Sequence, residues 1–263
     1  MKYIKQLDSL RAIAVLLVIL SHWNWAPSIH FVEKLFLGNI GVDIFFVLSG
    51  FLISKILFEQ RLKLLNSESD KNKLIKNFYF RRALRIFPIY YITIFLLLIF
   101  SSYTDTNIRD SFLYFLTYTS NFYFFKIGSF DGMVSHLWSL SVEEQFYLIW
   151  PWLILFPRKK YLLYIISSFI ILGVVSQYIT SDYPLSDVIT INCFDSFGFG
   201  ALLSWFVSYK KNYLNKFYNY LSKVTCFVLL LLTIYYIFHI LLLPYRTMVS
   251  IIALWIITYI YLM

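Results

Sequence analysis

Residues 10–22 read LRAIAVLLVILSH, an apolar run suited to lipid that nevertheless contains Arg11 and His22. A cation inside a membrane helix costs on the order of 3 kcal/mol unless it is paired or faces a wet cavity. A plain anchor has no use for either residue. Eleven positions separate them. At about 100° and about 1.5 Å per residue, they leave nearly the same helix face, roughly 16 Å apart. One face therefore carries a fixed charge near one end and a titratable base near the other, as in a polar pathway or reaction chamber. A local alternative stays open. Arg11 can pair with Asp8 three residues earlier and snorkel to the interface, with His22 beside Trp23 and Trp25 at the other side.

The rest of the chain places this run in a polytopic α-helical membrane protein. Of 263 residues, 60% are hydrophobic and 14% charged, with mean hydropathy +0.69, where a soluble domain carries about 25% charged residues. A hydrocarbon core of about 30 Å needs about 20 apolar residues per helix. Eight segments are predicted to span: 7–26, 40–58, 86–103, 138–157, 161–180, 188–208, 224–243 and 246–263. With the N-terminus in the cytoplasm, 18 of the 23 Lys and Arg residues fall inside. Lys34, Arg109, Lys126 and Arg246 fall outside, and Arg11 lies within the membrane. That asymmetry obeys the positive-inside rule. It also accounts for the net charge of +9 without a nucleic-acid partner.

Residues 59–80 are expected as a Lys-rich cytoplasmic loop with some helix. Residues 104–137 are expected outside, with an interfacial or re-entrant helix rather than a ninth crossing. The first run lacks a small-residue cleavage site and is expected to be retained. The last runs into Met263 without a polar tail, which suggests C-terminal shortening. Cys193 and Cys226 show no metal or disulfide spacing and are expected to be small buried hydrophobes.

Four blocks carry chemistry. The first is the Arg11/His22 run. The second is GVDIFFVLSGFLI at 41–53, where Asp43 and Ser49 enter a lipid-like helix and Gly41 and Gly50 allow close packing. Asp43 could also be a helix cap. The third is Arg81, Arg82 and Arg85. Arg82 and Arg85 lie one turn apart, and paired guanidiniums suit phosphate. A topology signal or lipid-headgroup contact explains them equally well. The fourth is SHLWSLSVEEQFYLIWP at 135–151. Glu143 and Glu144 lie beside His136, Ser139, Ser141 and Gln145. Adjacent acids cannot share a helix face, so one should look inward and the other toward a second polar partner. A carboxylate can also orient a histidine ring and stabilise its protonated form. There is no G-x-x-x-x-G-K-[ST], H-E-x-x-H, G-x-S-x-G or H-x4-D, and Gly198/Gly200 reads as a packing face rather than a dinucleotide loop.

These blocks, in this order, resemble the acyltransferase-3 family of integral membrane acyltransferases, which includes bacterial surface-glycan O-acetyltransferases. The resemblance rests on LDSLRAIAVLLVILSH (7–22), GVDIFFVLSGFLI (41–53), RRALRIFPIYY (81–91) and HLWSLSVEEQFYLIWPW (136–152), and more weakly on FDSFGFGALLSW (194–205). It covers nearly the whole chain as one membrane domain, 1–263. It implies an enzyme of the bacterial cytoplasmic (inner) membrane. Such an enzyme moves an acyl group, usually acetyl, from cytoplasmic acetyl-CoA to a hydroxyl of a surface polysaccharide such as O-antigen lipopolysaccharide, capsule or exopolysaccharide.

By that resemblance Arg11 and His22 form an essential pair, with His22 a general base or transient acyl carrier. Arg82 and Arg85, with Arg11, handle the CoA donor. Glu143 is the acid of its block, a catalytic residue that orients His22 or balances its charge, with Asp43, Ser49, Ser139 and Glu144 in support and no metal. Membrane lipid and a glycan or glycolipid acceptor are the implied partners. The family often has an arginine before the Phe-Asp pair, where this chain has Cys193, and often about ten helices. The rival reading is a glycan or lipid transporter using the His/Glu/Arg set as a proton relay. The internal repeats and broken midplane helices of many transporters are not visible here.

Overall fold

The computed structural model describes residues 4–22, 36–64, 70–104 and 106–263. Every regular element among them is helical. In chain order the α-helices are α1 (Lys5–His22), α2 (Leu37–Leu64), α3 (Lys71–Ile99), α4 (Ser101–Thr104), α5 (Ile108–Leu116), α6 (Ser120–Ile127), α7 (Leu137–Leu155), α8 (Leu162–Ile179), α9 (Phe194–Tyr209), α10 (Leu214–Phe238) and α11 (Tyr245–Leu262). Among the described residues, Leu37–Leu64, Lys71–Ile99, Lys159–Ile179, Lys211–Phe238 and Tyr245–Leu262 are long and apolar enough to cross a membrane. The molecule is a multi-pass helical membrane protein.

All eight expected segments are helical where described, but the sequence misplaced several ends. Residues 23–26 of the first segment, with Trp23, Trp25 and the nearby Lys34, lie outside the described residues. Three segments also fall short of a simple span. Helix α1 carries Lys5, Asp8 and Arg11 within 18 residues, α7 carries two acids, and α9 has only 16 residues. The expected cytoplasmic loop at 59–80 is mostly helix. Helix α2 runs on to Leu64, and α3 starts at Lys71, where Asp70 caps it by accepting from the Asn72 N–H at 3.0 Å. A capped N-terminus lets a polar Lys/Asn stretch continue the helix well beyond its apolar part. Arg81, Arg82 and Arg85 therefore sit within α3, not ahead of it. The fourth turn of α10 falls near residue 224, where a span was expected to begin, because its Lys-containing start is helical too.

The 104–137 segment contains α5 and α6, of nine and eight residues. At about 1.5 Å per residue neither can cross about 30 Å, so among the described residues neither adds a ninth crossing. Gly128 ends α6 at φ 67°, a left-handed cap that glycine adopts without strain.

The described residues form two compact units. The first comprises 1–56, 163–178 and 193–263. Its core gathers Leu7, Leu10 and Ala14 of α1, Val47, Leu48 and Phe51 of α2, Leu203 of α9, and Ala253, Leu254 and Ile257 of α11. Helices α2 and α9 cross at backbone contact. A Cβ on Gly50 would lie 2.2 Å from the Phe197 carbonyl oxygen, and one on Gly200 would lie 2.1 Å from that of Val47. The expectation that these glycines form packing faces holds, since only a residue without a side chain allows this approach.

Arg246, counted by sequence with the outside set at the start of the last span, is the second residue of α11 but is buried, 6% exposed. Its Nε donates to Asp43 Oδ1 at 2.7 Å, and Asp43 is 1% exposed. Loop counting treats every cation between two apolar runs as solvated. It cannot see a partner 203 residues away.

The second unit comprises 57–162 and 179–192. Its core joins Tyr90 and Ile94 of α3 to Ile108 and Phe115 of α5, Phe124 of α6, Leu137 of α7, and Val188. Tyr90 stacks on Tyr118 with centroids 4.2 Å apart, and its hydroxyl donates to the Phe115 carbonyl at 2.7 Å. The side chains of Asn121, Gln145 and Thr190 bond one another, and Gln145 Nε2 also donates to the Tyr118 carbonyl at 2.7 Å. The Arg61 guanidinium donates to the carbonyls of Ile154 and Pro157 at the end of α7, where a helix leaves acceptors unsatisfied.

Two outcomes follow. Gly50→Ala or Gly200→Ala should cost about 1–3 kcal/mol by forcing the helices apart, read as a lower Tm in detergent; an unchanged Tm would show that the crossing can widen freely. Arg246→Ala should cost about 3–5 kcal/mol, because it strands a buried carboxylate, and Asp43→Asn in the same chain should recover part of that loss. A double variant no more stable than Arg246→Ala would show that the charge on Asp43 is not what the loss exposes.

Candidate functional site

Within the first unit, α1 presents both residues of the opening run. Arg11 Nη1 donates to Asp8 Oδ1 at 3.0 Å, with both side chains partly exposed, which is the local pairing the spacing allowed. His22 is exposed in the last turn of α1. Ser49 is buried on α2.

The polar centre of this unit is elsewhere and was not read from sequence. Arg246 binds Asp43 through Nε, and its Nη1 lies 3.0 Å from Cys193 Sγ. Thr247 donates to Asp195 Oδ2 at 2.6 Å, and Ser196 and Ser250 share a hydrogen bond at 2.7 Å. Helix α11 thus brings a guanidinium and two hydroxyls onto the start of α9. Cys193 is buried as expected, but against a guanidinium and not only among apolar groups. Cys226 is exposed, contrary to expectation. The buried face of α10 runs through Leu221, Thr225, Val228 and Leu231, and residue 226 lies off that stripe.

The second unit contains a cleft of about 400 Å³ between one face of α3 and one face of α7, within the range of small-ligand sites. From α3 it is lined by Lys76, Tyr79, Phe80, Arg82, Ala83 and Phe87. Glu144, Tyr147 and Leu148 line it from α7. Residues 76, 79/80, 83 and 87 follow helical spacing, as do 144 and 147/148, so each wall is a single stripe. Arg82 and Glu144, both singled out by sequence, meet here. Arg85, one turn on, is exposed and does not line the cleft. Lys76 supplies the cleft's other cation.

Three local features shape this cleft. Pro151 lies inside α7 and cannot donate to the carbonyl four residues back, so the ladder is locally broken. The adjacent Leu148 carbonyl is taken by the Tyr79 hydroxyl at 2.6 Å, and that hydroxyl accepts from Trp152 Nε1 at 2.9 Å. The helix break and the fastening of α3 to α7 thus coincide. Arg82 Cζ sits 5.9 Å from the Phe78 ring centroid and 5.0 Å from that of Tyr147. Among the described residues the Arg82 guanidinium donates no hydrogen bond, which leaves its in-plane N–H groups available to an anion.

The two acids diverge as their adjacency required. Glu143 is 4% exposed and accepts the Tyr147 hydroxyl on Oε1 at 2.7 Å. Glu144 faces the cleft, and its Oε1 is buried without a hydrogen-bond partner among the described residues. Such an orphan acceptor calls for a ligand or water. Ser139 donates to the His136 carbonyl of its own helix at 3.1 Å. Of the residues missed by sequence reasoning, Tyr147 was legible as the i+4 neighbour of Glu143. Tyr79 and Lys76 were hidden because their stretch was read as a loop.

Comparison with known proteins agrees with this arrangement of motifs. The family model described as "Acyltransferase domain" matches residues 4–263. "Peptidoglycan O-acetyltransferase OatA" of Listeria monocytogenes is 39% identical over 163 residues, 57% of this chain and 24% of that protein. "Putative peptidoglycan O-acetyltransferase YrhL" of Bacillus subtilis is 40% identical over 163 residues, 57% of this chain and 23% of that protein. The matched part therefore spans about a quarter of the length of these relatives. No solved structure matches the chain. With the family model covering almost every residue and the motif blocks in place on their helices, the chain belongs to the acyltransferase-3 family of integral membrane acyltransferases.

Proposed function

We propose that this chain is an O-acetyltransferase of the cytoplasmic membrane that moves acetyl from cytoplasmic acetyl-CoA to a hydroxyl of a cell-surface glycan. The relatives' names favour peptidoglycan over the lipopolysaccharide, capsule or exopolysaccharide that the motifs alone suggested. One observation carries the donor half of the reading: the cleft that joins Arg82 and Lys76 to the orphan acceptor of Glu144. With the N-terminus in the cytoplasm, Lys76 and Arg82 lie toward the cytoplasmic end of α3. Acetyl-CoA is anionic at its phosphates and amphipathic along its arm. Two cations at the mouth suit the phosphates. The apolar walls suit the arm, and a buried carboxylate oxygen suits an amide N–H of that arm.

In this reading the acceptor hydroxyl adds to the thioester carbonyl and the C–S bond breaks. His22 takes the hydroxyl proton and the leaving thiolate receives it. Arg11 supports the donor along the same helix face. Glu143 serves as the buried acid, and Asp43 and Ser49 belong to the supporting polar interior.

Deletion of the gene should remove an acetyl mass increment from the surface glycan, measured by mass spectrometry. The wild-type chain should restore it, and His22→Ala should not, because loss of a general base costs about 10²–10⁴-fold. Restoration by His22→Ala would sink the base assignment. No acetyl change on deletion would sink the reaction and favour transport, which moves a glycan without changing its mass.

The donor site makes a separate demand. Arg82→Ala should raise the KM for acetyl-CoA about 10–100-fold, as expected for lost charge-assisted hydrogen bonds. Lys76→Ala should raise it less, and Arg85→Ala should leave it within about twofold, being an exposed charge. Equal effects at Arg82 and Arg85 would show that the cleft is not where the phosphates bind.

A further inference from the structure

Tyr147 touches the cleft's Arg82 and the buried Glu143 with different parts of one side chain. Its hydroxyl donates to Glu143 Oε1 at 2.7 Å. Its ring lies against the Arg82 guanidinium, with Cζ 5.0 Å from the centroid. The residue is 4% exposed and lines the cleft wall. A phenol has two side-chain torsions, and burial between an acid and a cation leaves it little freedom. A shift of this ring would therefore move both partners together.

The two contacts also solve two separate problems. A carboxylate among apolar groups needs donors, and the phenol supplies one from the next turn of the same helix. A guanidinium flattened on a ring is oriented without using its N–H groups, since cation–π attraction acts on its face. Arg82 can then be held in place and still offer its donors to an anion. A hydrogen-bonding holder would orient Arg82 equally well but would occupy the donors that a phosphate needs.

We propose that Tyr147 is a positioning residue that couples donor binding at Arg82 to the placement of the buried acid Glu143. This inference rests on the donor reading above. It assigns the ring to donor affinity and the hydroxyl to turnover, two quantities that a merely structural tyrosine would not separate.

The test uses membrane vesicles of the host containing the full chain and its native acceptor, with radiolabelled acetyl-CoA as donor. Tyr147→Phe keeps the ring and loses the hydroxyl. It should leave the KM for acetyl-CoA within about twofold and lower kcat about tenfold or more, the scale of one lost hydrogen bond to a charged group. kcat is normalised to the amount of folded, detergent-extractable chain in each vesicle preparation, which separates lost turnover from lost folding. Tyr147→Leu loses the ring and should raise KM about 3–30-fold, the scale of a partly buried cation–π contact. Tyr147→Trp, which keeps a ring, should recover most of that loss.

Wild-type kcat in Tyr147→Phe, or KM changes as large in Phe and Trp as in Leu, would overturn the coupling while leaving the donor reading intact. Absence of saturable transfer from acetyl-CoA by the wild-type vesicles would overturn the donor reading, and this inference with it.

Discussion

A charge placed among apolar helices must be answered inside the protein, and much of this structure follows from how that demand is met. Asp43 is answered by Arg246, Glu143 by the Tyr147 hydroxyl, and Asp195 by Thr247. Each answer fixes a helix. The Asp43–Arg246 contact sets α11 against α2, and the glycine crossing of α2 and α9 brings their backbones close enough to build around it. One carboxylate oxygen each of Asp195 and Glu144 is buried without a hydrogen-bond partner among the described residues, and Glu144 lines the cleft.

Much of this was visible in the sequence because membrane helices announce themselves by length and hydropathy. The five long apolar helices and the close-packing glycines could be read directly. So could the divergence of Glu143 and Glu144, since neighbours on a helix differ by about 100°. The ends of the helices were less legible. Hydropathy marks where apolar residues stop, whereas a helix stops where its caps and backbone allow. One capping residue, Asp70, moved the start of α3 back to residue 71 and carried Lys76 and Tyr79 into the cleft wall.

The polar interior was harder still, because it depends on contacts distant in sequence. Arg246 looked like an outer-end cation of the last span, and nothing near it in sequence names Asp43 or Cys193. By the resemblance, the family often has an arginine just before the Phe-Asp pair, a position Cys193 holds here. Structure brings a guanidinium to that thiol from another helix. A reading by column would count a missing arginine, and a reading in space finds one. The Tyr79–Leu148 contact escaped for a related reason: it joins residues 69 positions apart, and Tyr79 lay in a stretch read as a loop.

The separation of Asp43 from Arg246 also bears on how the protein is made. A ribosome adds about 5–20 residues per second, so the 203 residues between them take roughly 10–40 s to synthesise at that pace. Throughout that interval α2 carries an acid whose cation does not yet exist. The insertion machinery must accommodate an acidic helix on trust, and the first unit can reach its final packing only after α11 has entered the bilayer. Assembly of this unit is thus gated by one of its latest helices, and a ribosome stalled before residue 246 would leave a chain whose acid still lacks its cation.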